Sequence, residues 1–147
     1  MMMRINSGII LILLLLPGGV MALDGGRKPV LMDAAFFSGF NALLPLKRDF
    51  FLDGKLGLIV KAQGQVEEIN DKGRFGRKYR IIVRCTESKA INVLYHVHTD
   101  DPVYLKQLKK GDSFSFAGIL KMYTPLSTQR ESYICDILLS DKKEEAD

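Results

Sequence analysis

The sequence predicts a mainly β domain, a small barrel of five strands with a helix between strands 3 and 4 and a short N-terminal helix. Three observations carry that expectation. Beyond Gly54, apolar residues recur with period two in five separate segments, the mark of half-buried strands. A helix-start signal, Asp100-Asp101-Pro102, stands between the third and fourth segments. Gly64 interrupts the first segment, and a glycine within a strand suggests a sharp bend or bulge, which lets a small barrel coil and close.

The chain opens with Met1-Met2-Met3-Arg4, so its only early charge is positive. An apolar run Ile9 to Leu16 follows, then Pro17-Gly18-Gly19 and the small-residue exit Val20-Met21-Ala22. These are the three parts of a secretory signal, placed at residues 1–22. The alternative is a retained anchor, but a spanning helix needs about 20 apolar residues and the run breaks after Leu16. Cleavage leaves about 125 residues of the 147, enough for one domain with a modest core and no stable membrane span. The expected address is periplasmic or secreted.

Residues 23–54 read as a lead with a short helix. Asp33 is placed to cap a helix over Ala34 to Leu44, Pro45 to stop it, and Phe36, Phe40 and Leu43 or Leu44 to share a face over the barrel. The barrel itself is assigned to 55–140. Its first strand turns Leu58, Val60, Ala62, Gly64 and Val66 inward. Asn70-Asp71-Lys72-Gly73 supplies a turn, and the second strand, Tyr79 to Thr86, turns in Tyr79, Ile81, Val83 and Cys85. The third, Ile91 to His98, turns in Ile91, Val93, Tyr95 and Val97. Asp101 as N-cap and Pro102 at the first helical position then open a helix striped by Leu105 and Leu108 and ended by Gly111. Phe114, Phe116, Gly118, Leu120 and Met122 face inward on strand four, and Tyr133, Cys135, Ile137 and Leu139 on strand five. Residues 141–147 form a charged tail. This order of elements is that of the OB-fold, a partly open Greek-key barrel.

Several short runs carry a family resemblance: Val60-Lys61-Ala62-Gln63-Gly64-Gln65-Val66 with Ile69, Val83-Arg84-Cys85, Leu105 to Asp112 leading into Phe116-Ala117-Gly118, and Ile134-Cys135-Asp136. Over residues 40–140 the chain resembles the bacterial tRNA-anticodon-like OB-fold family. The resemblance implies the fold and brings no functional residues with it.

No nucleophilic serine motif, phosphate-cradling glycine loop or HExxH helix is present, so no catalytic residue is assigned and the chain reads as a non-enzyme without a cofactor. His96 and His98 share one face of strand three and are weak metal candidates, with Asp100 as a third ligand; the alternative is two exposed polar positions on the outer face. Cys85 and Cys135 both point inward. They either form a disulfide or remain two small buried apolar residues.

The strongest surface signal is the basic run Lys72 to Arg80, continued by Arg84. OB domains commonly bind through strands two and three and the loop between strands one and two. The expected binding surface is therefore Arg74, Phe75, Arg77, Lys78, Arg80, Arg84, Asn92 and His96. Cations suit an anionic polymer such as a glycan, or membrane headgroups, and Phe75 offers stacking to single-stranded nucleic acid. An exported location and an inward Tyr79 favour protein or an anionic polymer over nucleic acid. A metal-binding periplasmic protein is a second alternative. A net charge of +4 is too small to decide by itself.

Overall fold

The computed structural model describes residues 28–140; the expected signal segment 1–22 and charged tail 141–147 lie outside the described residues. The elements run β1 (Val30–Leu31), α1 (Ala34–Asn41), α2 (Pro45–Asp53), β2 (Ile59–Asn70), β3 (Tyr79–Cys85), β4 (Asn92–Thr99), α3 (Val103–Gln107), β5 (Ser113–Pro125) and β6 (Ser132–Leu139). Antiparallel pairing joins β2 to β3 and β3 to β4, β4 runs parallel to β6, and β6 pairs antiparallel with β5. An antiparallel β2–β5 ladder closes the ring. This is the five-stranded OB-fold barrel expected from the sequence, with β1 added parallel to the start of β2.

The period-two pattern fixes which residues fill the barrel. Val60, Val66, Ile81, Val83, Tyr95, Val97, Leu120, Tyr133, Cys135 and Ile137 are all buried. Gly64 is needed for a different reason from the one its position suggests. The β2 bulge falls later, between Val66 and Glu68, whereas a Cβ on Gly64 would collide with the Arg84 carbonyl and Val83. The two backbones approach too closely there for any side chain.

Three local expectations are corrected. Asp33 does cap α1, accepting the Phe36 amide at 3.0 Å, but the helix ends at Asn41 and Pro45 opens a second helix. Proline suits that first position because its missing N–H has no helical partner to lose. Helix α3 is shorter than expected: it starts at Val103, whose amide bonds Asp101 Oδ1 at 3.0 Å, and stops at Gln107. Leu105 is therefore exposed while Leu108 packs against the core. On β5, a register shift between Leu120 and Met122 turns Met122 outward, opposite Asp136.

The helices lie against the barrel through aromatic packing. Phe37 and Phe40 are buried, and the Phe40 ring meets Tyr133 edge-on with centroids 5.5 Å apart.

Candidate binding face

The loop between β2 and β3 decides the shape of the outer face. Arg74 to Arg77 form a tight turn in which the Arg77 amide bonds the Arg74 carbonyl at 3.0 Å. Phe75 (φ 58°) and Gly76 (φ 78°) both take left-handed backbone, the pattern of a type I′ turn, whose twist suits a hairpin. Glycine adopts this freely, but for phenylalanine it is strained. The strain is offset by a seat for the ring: Phe75 packs edge-on against His98 at 5.3 Å.

The loop thus folds back over the barrel instead of standing out as a solvated tip. The Arg74 amide donates to His98 Nδ1 at 3.1 Å, and the Lys78 amide donates to Asp100 Oδ1 at 2.9 Å. Arg77 Nη1 lies 3.8 Å from Asp100 Oδ2. His98, expected as an exposed position of an alternating strand, is fully buried under this cover. Its phase is outward as expected; its exposure is removed by the loop.

Beneath the loop, Asp136 on β6 is the hub. His98 Nε2 sits 2.8 Å from Asp136 Oδ1, His96 Nδ1 3.9 Å from the same oxygen, and Arg74 Nη1 3.9 Å from Asp136 Oδ2. A backbone amide can only donate, so His98 Nδ1 must be the acceptor for Arg74. The ring hydrogen then resides on Nε2 and points at Asp136. His96 is held below the usual imidazole pKa, first by burial and then by the Arg80 charge, with Asp136 opposing. Arg80 pairs across the sheet with His98, and its buried Nε has no hydrogen-bond partner among the described residues.

The structure brings together Arg74, Phe75, Arg77, Lys78, Arg80 and His96 of the expected surface. Arg84 and Asn92 lie toward the other end of the strands. Arg84 pairs with Leu94 and is engaged by Glu67 at 2.7 Å and by Gln65. Asn92 is exposed at the start of β4, roughly 20 Å along the strand from His98 at ordinary strand rise. Phe75 is turned down onto His98, so its ring is not offered outward for stacking.

His96 and His98 do approach a carboxylate, but it is Asp136 and not Asp100, and both nitrogens of His98 are already engaged. Among the described residues no group of three or more His, Cys, Asp or Glu side chains is arranged to hold a metal. Cys85 and Cys135 are buried and unbridged. Strand β4 separates them, which places their Cα atoms about two strand spacings, roughly 9–10 Å, apart, beyond the reach of a disulfide at about 7 Å. The Tyr95 hydroxyl donates instead to Cys85 Sγ at 3.5 Å, and burial pushes the Cys135 thiol up to about 12.

Asp136 is the residue of this face that the alternation missed, although a signal existed. Strand β6 reads Tyr-Ile-Cys-Asp-Ile-Leu-Leu from Tyr133 to Leu139, apolar on both faces. A carboxylate in such a strand implies a covered outer face and a bonded partner.

No family model matches the chain, and no curated protein matches it. Among solved structures it is similar to a "putative nucleic acid-binding lipoprotein" from Klebsiella pneumoniae subsp. pneumoniae. The two share 18% identity at a TM-score of 0.47, over 78% of this chain and 92% of that one. Among the described residues no helix is long and apolar enough to cross a membrane.

Proposed function

We propose that the chain is a non-enzymatic binding module that engages an anionic partner, an acidic protein face or an anionic polymer, through the loop over 71–78 and the adjoining outer ends of β3 and β4. The observation that carries this reading is Arg80. Its Nε is buried on the face with no acceptor among the described residues, and an unmet buried donor costs roughly 1–3 kcal/mol. An incoming anionic oxygen would supply the missing acceptor. Arg74 and Lys78, both exposed at the rim, place further positive charge around it.

The face lacks an outward aromatic at its centre, because Phe75 is seated on His98. Backbone charge recognition therefore fits it better than base stacking. The resemblance to the bacterial tRNA-anticodon-like family is part of this reading as a statement of kinship. The signal-like start supports an exported location, periplasmic or secreted, where anionic glycans and acidic protein surfaces are available partners.

Fluorescence anisotropy with a labelled heparin octasaccharide tests the site, with a single-stranded oligonucleotide of equal charge as comparator. Binding that weakens steeply with salt and is abolished by joint replacement of Arg74, Arg77 and Arg80 with Ala is expected. Unchanged affinity in that triple variant rejects the site. Preference for the oligonucleotide at equal charge would move the assignment to nucleic acid.

A further inference from the structure

The loop over 71–78 is seated on a ring that can titrate. The contact needs an unprotonated His98 Nδ1, because the Arg74 amide donates to it at 3.1 Å. The other nitrogen, Nε2, is committed to Asp136 Oδ1 at 2.8 Å. Protonation would put a hydrogen on Nδ1 facing the Arg74 N–H, so the bond becomes a repulsion between two donors. The ring has no exposed surface, so bulk solvent does not reach it to take over that role.

The charged surroundings of His98 come from every element packed on it. The loop contributes the Arg74 guanidinium, 3.9 Å from Asp136, and Arg77, which is tied to Asp100 just beyond the end of β4. Strand β3 contributes Arg80 directly across from it, and β4 itself contributes His96. Strand β6 contributes Asp136, the carboxylate bonded to the ring. A charged imidazole would keep its bond to Asp136 but would stand among these cations. The loop would lose the bond that holds Arg74, while the left-handed strain at Phe75 (φ 58°) remains. That strain favours departure once the seat is weakened.

We propose that the loop over 71–78 is a proton-gated cover: it lies closed over His98 and Asp136 while His98 is neutral, and it lifts when His98 is protonated. Lifting frees Arg74 and exposes the charged imidazole, so the face gains positive charge and its anionic partner is held more tightly in acid. This second step rests on the anionic-partner reading; the loop's release does not.

The first experiment therefore uses no ligand. Nuclear magnetic resonance of the purified full chain follows the His98 ring nitrogens and hydrogen exchange of the Arg74 amide from pH 8 to pH 5. At pH 8 the Nε2–H tautomer and a protected Arg74 amide are expected. As the ring takes a proton, Arg74 protection should fall at least tenfold, corrected for intrinsic exchange, while Val83 and Ile137 stay protected. In His98→Asn the side-chain oxygen can still accept from Arg74 but cannot titrate, so protection should no longer depend on pH. If that variant does not fold, the wild-type titration decides alone. Protonation of His98 with Arg74 protection unchanged overturns the gate, as does a pH-dependent Arg74 amide in a folded His98→Asn chain. The labelled heparin octasaccharide, whose sulfates stay charged throughout, should then bind at least tenfold tighter at pH 5.5 than at pH 7.5 at constant ionic strength. Equal affinity at the two pH values overturns the coupling of gate to binding. No binding at either value, with the loop shown to lift, overturns the anionic-partner reading.

Discussion

Arg130 grips Asp49 across 81 residues of sequence, with Nη2 2.9 Å and Nε 3.2 Å from Asp49 Oδ2. The contact fastens α2 to the turn between β5 and β6. Arg130 takes left-handed backbone to make it (φ 58°). The Tyr133 hydroxyl adds a bond to Asp49 Oδ1 at 2.8 Å, and Tyr123 donates to the Asp49 carbonyl at 3.1 Å. The Arg130 bond lowers the Asp49 pKa below its ordinary value of 3.8, with burial opposing and Tyr133 assisting.

The sign of the resulting pH dependence follows from that direction. A depressed carboxyl contributes stability that is present above its unfolded pKa and is lost as pH falls through its folded one. Urea unfolding at pH 7, 4 and 3 should show a loss concentrated below pH 4. In Asp49→Asn that part of the loss should vanish, because the difference is already absent at pH 7. Tyr133→Phe keeps the ring packed on Phe40 and removes one hydrogen bond. It should cost about 1 kcal/mol, a fall in Tm of about 4–8 °C for a domain near this size.

The barrel was legible because its information is local and periodic. Val60 to Val66 and Ser113 to Leu120 alternate in the sequence as they alternate between interior and exterior. Helix α2 was not legible, since Pro45 reads as a stop as readily as a start and the tie that settles it, Arg130 on Asp49, spans distant sequence. The binding face divides in the same way. Alternation placed Arg80 and His96 on one outer face. The loop that buries His98, and the carboxylate beneath it, depend on contacts among β2–β3, β4 and β6 that no periodicity encodes.

Gly64 and Gly39 should respond oppositely to alanine. At Gly64 a Cβ meets the Arg84 backbone and Val83, and backbone cannot step aside cheaply, so Gly64→Ala should cost about 3 kcal/mol. At Gly39, within α1, a Cβ meets nothing within 4 Å. Gly39→Ala should stabilise by roughly 0.5–1 kcal/mol through helix propensity. Thermal melts of the two single variants check both signs.

Cys85 and Cys135 should behave as two inert thiols in the folded chain. A thiol raised to about 12, as Cys135 is by burial, holds almost no thiolate at neutral pH. Thiol titration in native buffer should therefore show negligible fast reaction, and two equivalents should react in denaturant. A chain that shows none in denaturant carries the disulfide that strand β4 separates in this fold.

His96 supplies a second, milder pH dependence. Its pKa is lowered from 6.5, chiefly by burial and then by Arg80, so the unfolded chain binds the proton first as pH falls. Stability is then full above about 6.5 and declines between that value and the folded pKa. His96→Gln should flatten this part of the profile in unfolding experiments between pH 7.5 and pH 5.

Arg80 and Arg84 make the sharpest comparison on the face itself. Both are arginines on the outer side of β3, yet Arg84 is satisfied by Glu67 at 2.7 Å while Arg80 keeps a buried Nε with no acceptor among the described residues. Equal charge therefore does not mean equal value to a ligand. Arg80→Gln should weaken binding of the labelled heparin octasaccharide about tenfold and reduce the salt slope by about one released counterion. Arg84→Gln should change affinity by less than about twofold, because the pair it leaves is an exposed one that contributes little. Equal losses in the two variants would mean that the ligand senses only net charge, and the acceptor role assigned to the Arg80 position would be wrong.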